Sequence, residues 1–244
     1  MQICAIIPVY NNVATIGQII EDVLEIVADV IVVDDGSTDG TSEILAQISS
    51  AVTIIGYDKN RGKGYALLQG FLSARKNGFT HAITIDADGQ HFASDIPVFL
   101  SEIKNNPNGI IVGSRNLTEK NMPQQNTFAN KFSNFWYKLQ TGINIPDTQS
   151  GFRLYALSAV RTAWPITSRY EAELEFLVFA AWAGKRISSV PIHVYYPSPE
   201  KRVSHFRPVY DFARISLLNT LLCVLALVYG YPVKLMRSIK RKWK

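Results

Sequence analysis

The chain has 244 residues, 47% of them hydrophobic, and a formal net charge of +5. This length and composition suit one sizeable α/β domain with room for a small appendage. The positive charge is concentrated at the C-terminus, in Lys234, Arg237, Lys240, Arg241, Lys242 and Lys244. Without this tail the chain is close to neutral. It has no basic patch interleaved with aromatic residues, so no nucleic-acid partner is predicted.

The two cysteines predict an intracellular protein. Cys4 and Cys223 lie in separate apolar runs without metal-like spacing, and are therefore expected to be buried, reduced thiols in the cytosol. The first residues lead almost directly into a predicted strand and lack the features of a secretory signal.

Short apolar runs alternate with helical periodicity along the first half of the chain. Strands are predicted at 3–9, 30–33, 52–55, 83–85 and 109–112, and helices near 16–27, 44–48, 66–74 and 94–104. Such repeated units predict an α/β fold with an open, mainly parallel sheet and helices on both faces. In these sheets, functional residues gather at the carboxyl ends of the strands.

The strand predicted at 83–85 is followed by an unusual polar cluster. Asp86 and Asp88 stand one residue apart, with Gln90 two residues further on. Carboxylates are seldom buried unless they are paired or bind a metal. These oxygen ligands suit Mg²⁺ or Mn²⁺ holding a diphosphate. The alternative at this point is a plain Asp-Gly turn after a strand.

Two common nucleotide-binding motifs are absent. The first predicted strand is not followed by Gly-x-Gly-x-x-Gly, and the chain contains no Gly-x-x-x-x-Gly-Lys-Ser/Thr, which argues against a dinucleotide dehydrogenase and a P-loop enzyme. The segment 60–64, Asn-Arg-Gly-Lys-Gly, is only superficially like a phosphate loop. A glycine-rich helix start is its alternative interpretation.

A family resemblance emerges from the order of several motifs. They are Pro8-Val9-Tyr10-Asn11, the segment 33–41 (Val-Asp-Asp-Gly-Ser-Thr-Asp-Gly-Thr), the segment 60–64, Asp86-Ala87-Asp88-Gly89-Gln90-His91, Gly113-Ser114-Arg115 and the segment 147–153 (Asp-Thr-Gln-Ser-Gly-Phe-Arg). In this succession the chain resembles family 2 glycosyltransferases, and most closely the dolichyl-phosphate (polyprenyl-phosphate) mannosyltransferase branch. The resemblance covers residues 3 to 195.

The resemblance implies a site for a nucleotide-diphosphate sugar, GDP- or UDP-linked. It implies that a nucleoside is held by Pro8, Tyr10, Asp35 and the backbone near Val33. A metal would lie at Asp88 and Gln90, with Asp86 at the ribose or phosphates and Ala87 between the two carboxylates. Asn12 stands where the family usually has an acidic residue, which bears on one nucleotide contact and on the choice of base.

The resemblance also implies cations for phosphate groups. Arg115 and Lys131 fall at positions that meet phosphate oxygens, and Arg153 would bind an acceptor phosphate. A structural salt bridge is the alternative for Arg153. A mobile acceptor loop in the family corresponds to the segment holding Arg202, Ser204 and Arg207, which we expect near the phosphates.

The nature of the acceptor decides whether a general base is needed. A lipid phosphate is already a nucleophile, whereas a hydroxyl acceptor must lose a proton. Glu171, Glu173 and Glu175 are the available carboxylates, and we expect Glu173 and Glu175 to be catalytic. Their alternative role is favourable acidic charge in the first turn of a helix.

The C-terminal part predicts membrane association. Residues 215–233 carry no charge, which is near the lower limit for a transmembrane span. Basic residues flank both ends, so we expect a peripheral or monotopic helix on the cytoplasmic face of the cell membrane, within 215–244. A buried domain helix is the alternative. We therefore divide the chain into a catalytic domain at 1–200 and a membrane-associating segment at 201–244.

Another apolar stripe precedes the 147–153 motif. It is formed by Phe128, Phe132, Phe135, Trp136 and Leu139. Such a stripe usually packs in a core, and beside an acceptor site it could also border a lipid tail.

Three functions remain possible from the sequence. The favoured one is an inverting transferase that moves a sugar to a polyprenyl phosphate at the membrane. The second keeps the fold but uses a hydroxyl of a glycolipid or glycan, and the third is a sugar-nucleotide-binding protein without turnover.

Overall fold

The computed structural model describes residues 1–116, 124–163, 165–196 and 208–242, with side chains except at 124–128, 208–209, 211–212 and 241–242. Its strands are β1 (Ile3–Val9), β2 (Val30–Asp34), β3 (Thr53–Gly56), β4 (His81–Thr84), β5 (Ile110–Arg115), β6 (Arg153–Ala156) and β7 (Ile187–Ile192). Its α-helices are α1 (Ile16–Leu24), α2 (Thr41–Gln47), α3 (Lys63–Lys76), α4 (Ile96–Glu102), α5 (Gln124–Thr141), α6 (Ala172–Trp182), α7 (Pro208–Leu225) and α8 (Tyr231–Lys242).

The strands form one seven-stranded sheet in the order β3-β2-β1-β4-β6-β5-β7. All neighbouring pairs are parallel except those of β6, which runs antiparallel to both β4 and β5. The predicted mainly parallel sheet is thus confirmed. The strands β6 and β7 were not predicted. The 94–104 helix begins as a short 3₁₀ turn at Ala93–Asp95.

The alternating pattern of β1 builds a core on each face of the sheet. Cys4 and Ile6 belong to one buried cluster, together with residues of α3 and α6. Ala5, Ile7 and Val9 belong to the other, which α1 and α4 cover. Because successive side chains point to opposite faces, one short apolar strand anchors helices on both sides.

The last two helices are continuous and pack along the domain. A π-helical turn at Ala226–Gly230 joins α7 to α8, and we call residues 208–242 the tail helix. Leu218, Leu222 and Ala226 on its inner side join the same buried cluster as β1 and α3. The tail helix therefore shares a hydrophobic core with the sheet.

Candidate active site

A cavity of about 630 Å³ lies at the carboxyl ends of β1, β2 and β4, and we call it the strand-end pocket. It brings together most of the residues predicted to bind the nucleotide and metal, namely Pro8, Tyr10, Asn12, Asp35, Asp86, Ala87, Asp88 and Gln90. Parallel strands place their carboxyl ends at one edge, and for this reason motifs far apart in sequence meet here. Val33 is buried within β2, and its partner across the sheet is Pro8.

Asp35 fixes the glycine-rich segment 60–64 over the pocket. One carboxylate oxygen accepts the N–H of Arg61 at 2.7 Å, and the other accepts the N–H of Gly62 at 2.8 Å. Burial raises the pKa of Asp35 above its ordinary value, although both hydrogen bonds oppose this. Asp35 therefore shapes the pocket wall through the backbone of this segment.

Lys63, at the start of α3, forms ion pairs with two carboxylates, Asp86 and Glu173. Its Nζ lies 2.7 Å from Asp86 Oδ1 and 3.0 Å from Glu173 Oε2. Burial alone would lower the pKa of Lys63, but the two carboxylates raise it, and the lysine stays charged. Burial likewise works to raise the pKa of Asp86, yet Lys63 holds it below the usual value.

Gly151 leaves room for this ion-pair triad. A Cβ at this position would lie 2.5 Å from Asp86 Oδ2 and 2.7 Å from Lys63 Nζ. The glycine of the 147–153 motif is thus required by a close approach of charged groups, which only the tertiary structure reveals.

Asp88 has the properties expected of a cation ligand. Burial, followed by the charge of Asp86, raises the pKa of Asp88 to about 6. Its carboxylate accepts the N–H of Gln90 at 3.0 Å and forms no salt bridge with the described residues. A divalent cation would relieve this unbalanced negative charge.

The donor set fits Mg²⁺ or Mn²⁺. The described residues contain no cluster of three or more His, Cys, Asp and Glu side chains suited to a metal. Mg²⁺ in nucleotide sites typically uses one or two carboxylates and completes its shell with phosphates and water. Asp86, Asp88 and Gln90 match that pattern, in which the substrate supplies the missing ligands.

Arg115 is engaged away from the pocket lining. Its guanidinium forms a bidentate ion pair with Asp147, with distances of 2.6 and 3.0 Å. Asp147 is fully buried and also accepts hydrogen bonds from Asn130 and from the backbone of the 147–150 turn. Lys131, predicted beside Arg115 at the phosphates, is exposed on α5 and does not line the pocket.

The position of Arg153 favours the structural alternative over acceptor binding. Its side chain is fully buried and donates hydrogen bonds to the carbonyls of Thr148, Ser150 and Glu173, at 2.6 to 2.8 Å. A guanidinium so placed has no exposed face for a phosphate. We therefore revise its assignment from acceptor binding to support of the 147–151 turn.

The three glutamates at the start of α6 are likewise engaged. Glu171 pairs with Arg214 of the tail helix at 2.5 Å, and Glu173 pairs with Lys63. Glu175 accepts hydrogen bonds from the backbone N–H groups of Ile166 and Thr167. Glu175 thus holds the segment before α6, and this geometry offers it no catalytic contact.

These contacts are accompanied by a family match. A model of the family described as Glycosyl transferase family 2 matches residues 4–164. The chain belongs to glycosyltransferase family 2.

Named relatives and solved structures agree with this membership. A UDP-N-acetylglucosamine–dolichyl-phosphate N-acetylglucosaminyltransferase of Methanococcus voltae is 33% identical, over 78% of this chain and 84% of the relative. An undecaprenyl-phosphate mannosyltransferase of Micrococcus luteus is 28% identical, over 79% of this chain and 83% of the relative. Glucosyl-3-phosphoglycerate synthase of Mycobacterium tuberculosis has the same fold, with a TM-score of 0.66 and 18% identity. The match covers 93% of this chain and 77% of that one, and that structure was solved with Mn²⁺, UDP and phosphoglyceric acid.

The structure adds residues to this family 2 site that the sequence analysis did not assign. Asn60, Lys63, Arg169 and Tyr170 line the strand-end pocket. Lys63 carried a signal, since it lies in the glycine-rich segment 60–64 that is superficially like a phosphate loop. Arg169 and Tyr170 carried none, because they precede α6 by a few residues and reach the pocket only through folding.

The remaining predicted residues are either outside the described part of the chain or on α5. Arg202, Ser204 and Arg207 lie outside the described residues, and of Phe128 only the backbone is described. In the α5 stripe, Phe135 and Leu139 are exposed, at 60% and 48%.

Proposed function

We propose that this glycosyltransferase moves a sugar from a nucleotide-diphosphate donor to a polyprenyl phosphate at the cytoplasmic face of the cell membrane. The observation that carries the proposal is the combination of two features. One is a polar strand-end pocket with the Asp86–Asp88 pair, and the other is an exposed apolar surface on the tail helix.

The donor half of the proposal rests on the pocket. Its lining offers residues 8 to 12 for a nucleoside, and Asp86, Asp88 and Gln90 for a metal-bound diphosphate. A bound Mg²⁺ or Mn²⁺ would supply positive charge to the diphosphate as it leaves. The Mn²⁺ and UDP in the M. tuberculosis structure support this assignment.

The acceptor half rests on the three engaged glutamates. Glu171 and Glu173 are held in ion pairs with Arg214 and Lys63, and Glu175 accepts backbone N–H groups, so each carboxylate already has a role in the fold. A phosphate acceptor needs no general base, because its oxygen is already anionic at neutral pH. Its oxygen bonds to the anomeric carbon while the bond from that carbon to the diphosphate breaks, which inverts the configuration. The names of the M. voltae and M. luteus relatives agree with a lipid-phosphate acceptor.

The tail helix supports membrane association. One described helix, Ala213–Lys240, is long and apolar enough to cross a membrane by length and composition, and 28% of its most apolar stretch is buried in the protein. Its outward side exposes large apolar residues: Leu217, Leu221, Val224, Leu227, Val228, Leu235, Met236 and Ile239. We call this set the outer face. An exposed apolar face of this size marks an interaction surface.

The packing of the tail helix favours a position on the membrane over a span through it. Its inner side contacts the domain from Arg214, paired with Glu171, to Arg237, bonded to the carbonyl of Trp182. A helix crossing the bilayer would therefore draw α5 and α6 into hydrocarbon together with their polar groups, which is costly. Lying along the surface, it buries the outer face in lipid and keeps the pocket in the cytosol with nucleotide sugars.

Product analysis tests the proposal. Purified protein is incubated with UDP- or GDP-linked sugars, Mn²⁺ and a polyprenyl phosphate in vesicles, and the lipid is examined by mass spectrometry. A glycosylated polyprenyl phosphate is the expected product, and polyprenol of the same length is the control acceptor. Transfer to polyprenol or to a glycolipid hydroxyl alone would replace the lipid-phosphate assignment, and donor binding without any transfer would show a binding protein.

A further inference from the structure

Arg169 enters the strand-end pocket from the segment just before α6. Its side chain lines the cavity beside Asp35 and Lys63. The N–H of Tyr65 bonds to the carbonyl of Ser168 at 2.9 Å, which ties this segment to the start of α3. Arg169 is thus brought to the pocket by a tertiary contact.

Gly62 and Gly64 pack directly against Arg169. A Cβ at Gly62 would lie 2.6 Å from Arg169 Cγ, and a Cβ at Gly64 would lie 2.7 Å from the Arg169 carbonyl. Gly62 also has a φ of 101°, which side-chain-bearing residues rarely adopt. The backbone and the Cγ atom of Arg169 are thus packed closely against the start of α3, at the wall of the pocket.

Lys63, the other cation among the described residues that line the pocket, is already neutralised, as are two arginines near it. Lys63 pairs with Asp86 and Glu173, Arg115 with Asp147, and Arg214 with Glu171. Arg169 forms no salt bridge with any described carboxylate. Burial raises the pKa of Asp35, and the charge of Arg169 is one of the smaller effects that oppose this rise, but both oxygens of Asp35 already accept backbone N–H groups.

We propose that Arg169 is a donor-binding residue whose guanidinium binds the diphosphate of the nucleotide sugar. The proposal rests on the proposed donor pocket and goes further by naming the phosphate-binding arginine. A diphosphate brings negative charge into a cavity already lined by Asp35, Asp86 and Asp88. One divalent cation compensates part of this charge, and a guanidinium presents paired N–H donors that match phosphate oxygens.

This assignment has a mechanistic consequence. As the sugar departs, negative charge accumulates on the diphosphate, and a fixed cation there stabilises the transition state more than the ground state. Arg169 would therefore affect turnover as well as donor affinity.

Calorimetric titration with UDP, UMP and uridine, in the presence of Mn²⁺, tests the assignment, and GDP, GMP and guanosine serve if UDP does not bind. In Arg169→Gln the affinity for the diphosphate is expected to fall about 10- to 100-fold. The loss should be smaller for the monophosphate and absent for the nucleoside. Arg169→Lys, which keeps the charge but not the paired donors, should show an intermediate loss.

Arg161→Gln is the matched control. Arg161 is an exposed arginine that stacks on Phe179, 4.4 Å from the ring centroid, and its variant should bind like the native protein. Circular dichroism melting confirms that each variant is folded. Unchanged diphosphate affinity in Arg169→Gln, or an equal loss for the nucleoside, would overturn the role of Arg169. If the native protein binds neither UDP nor GDP, the donor pocket itself is refuted and the inference falls with it.

Discussion

Aspartates at the carboxyl ends of β2 and β4 line an open pocket, whereas several arginines elsewhere in the molecule bond to partners within the protein. Asp35, Asp86 and Asp88 reach the strand-end pocket. Arg153, Arg214 and Arg237 instead bond to buried carbonyls or to a buried carboxylate. The aspartates follow strands that end at an opening, whereas Arg153 at the start of β6 and the two arginines of the tail helix face packed elements.

The basic tail shows the difference most clearly. Lys234 donates a hydrogen bond to the carbonyl of Thr141, the last residue of α5, and Arg237 donates one to Trp182, the last residue of α6. A positive charge at a helix C-terminus satisfies free carbonyls and opposes the helix dipole favourably. These two cations dock the tail helix, while Lys240 is exposed and free to meet anionic lipid.

The largest effect is expected in the pocket. Asp88→Asn should leave the fold intact and lower transfer about 100-fold or more, because it removes an anionic ligand from the metal site. Initial rates with Mn²⁺ and an unchanged melting temperature measure this. Asp29→Asn, at the opposite end of the sheet, is the control. Near-native turnover of Asp88→Asn, or of the native protein in EDTA, would remove the metal role.

The second effect concerns Arg153, whose guanidinium bonds to carbonyls within the protein. Arg153→Met should destabilise the protein by about 3 kcal/mol or more, because three buried carbonyls lose a charged donor. Urea unfolding gives the free energy, with the exposed Arg161→Met as reference. If stability were unchanged and only the KM for the lipid phosphate rose, Arg153 would bind the acceptor after all.

The third effect concerns the outer face. Leu227→Asp should weaken binding to anionic vesicles about tenfold or more, because it removes an apolar contact with lipid. Leu227 is 71% exposed in the protein, so the stability of the fold should not fall. Leu72→Asp places the same change on an exposed leucine of α3. Co-sedimentation with vesicles compares the two, and equal binding of both variants would show that the outer face does not contact lipid.

The smallest effect separates the two kinds of tail cation. Arg237→Ala should lower stability by about 1 kcal/mol and change vesicle binding little. Lys240→Ala should leave stability unchanged and weaken vesicle binding by roughly 1 kcal/mol, or about fivefold. Identical behaviour of the two variants in both assays would abolish the distinction.

Deleting residues 215–244 is a poor test of membrane binding, because the tail helix also contributes to the hydrophobic core. Leu218, Leu222 and Ala226 belong to the main core, so the truncated chain would expose apolar surface that the native domain buries. Single substitutions on the outer face avoid this effect.

The sequence by itself determined the α/β fold and the family, together with the polar residues at the ends of β1, β2 and β4. Apolar alternation places each strand, and parallel strands bring their carboxyl ends to one edge, so local patterns suffice to predict that Asp35, Asp86 and Asp88 meet.

Only the tertiary structure decided the partners of the remaining charges. Whether Arg115, Arg153 or Arg169 faces a pocket depends on which carboxylates and carbonyls other elements bring within hydrogen-bonding distance. Asp147 engages Arg115, the 147–151 turn and Glu173 engage Arg153, and two glycines of the 60–64 segment seat Arg169 beside the cavity. These contacts join residues that are distant in sequence, and no periodicity or spacing records them, because the side chain of an arginine reaches whatever partner the packing of helices on the sheet supplies.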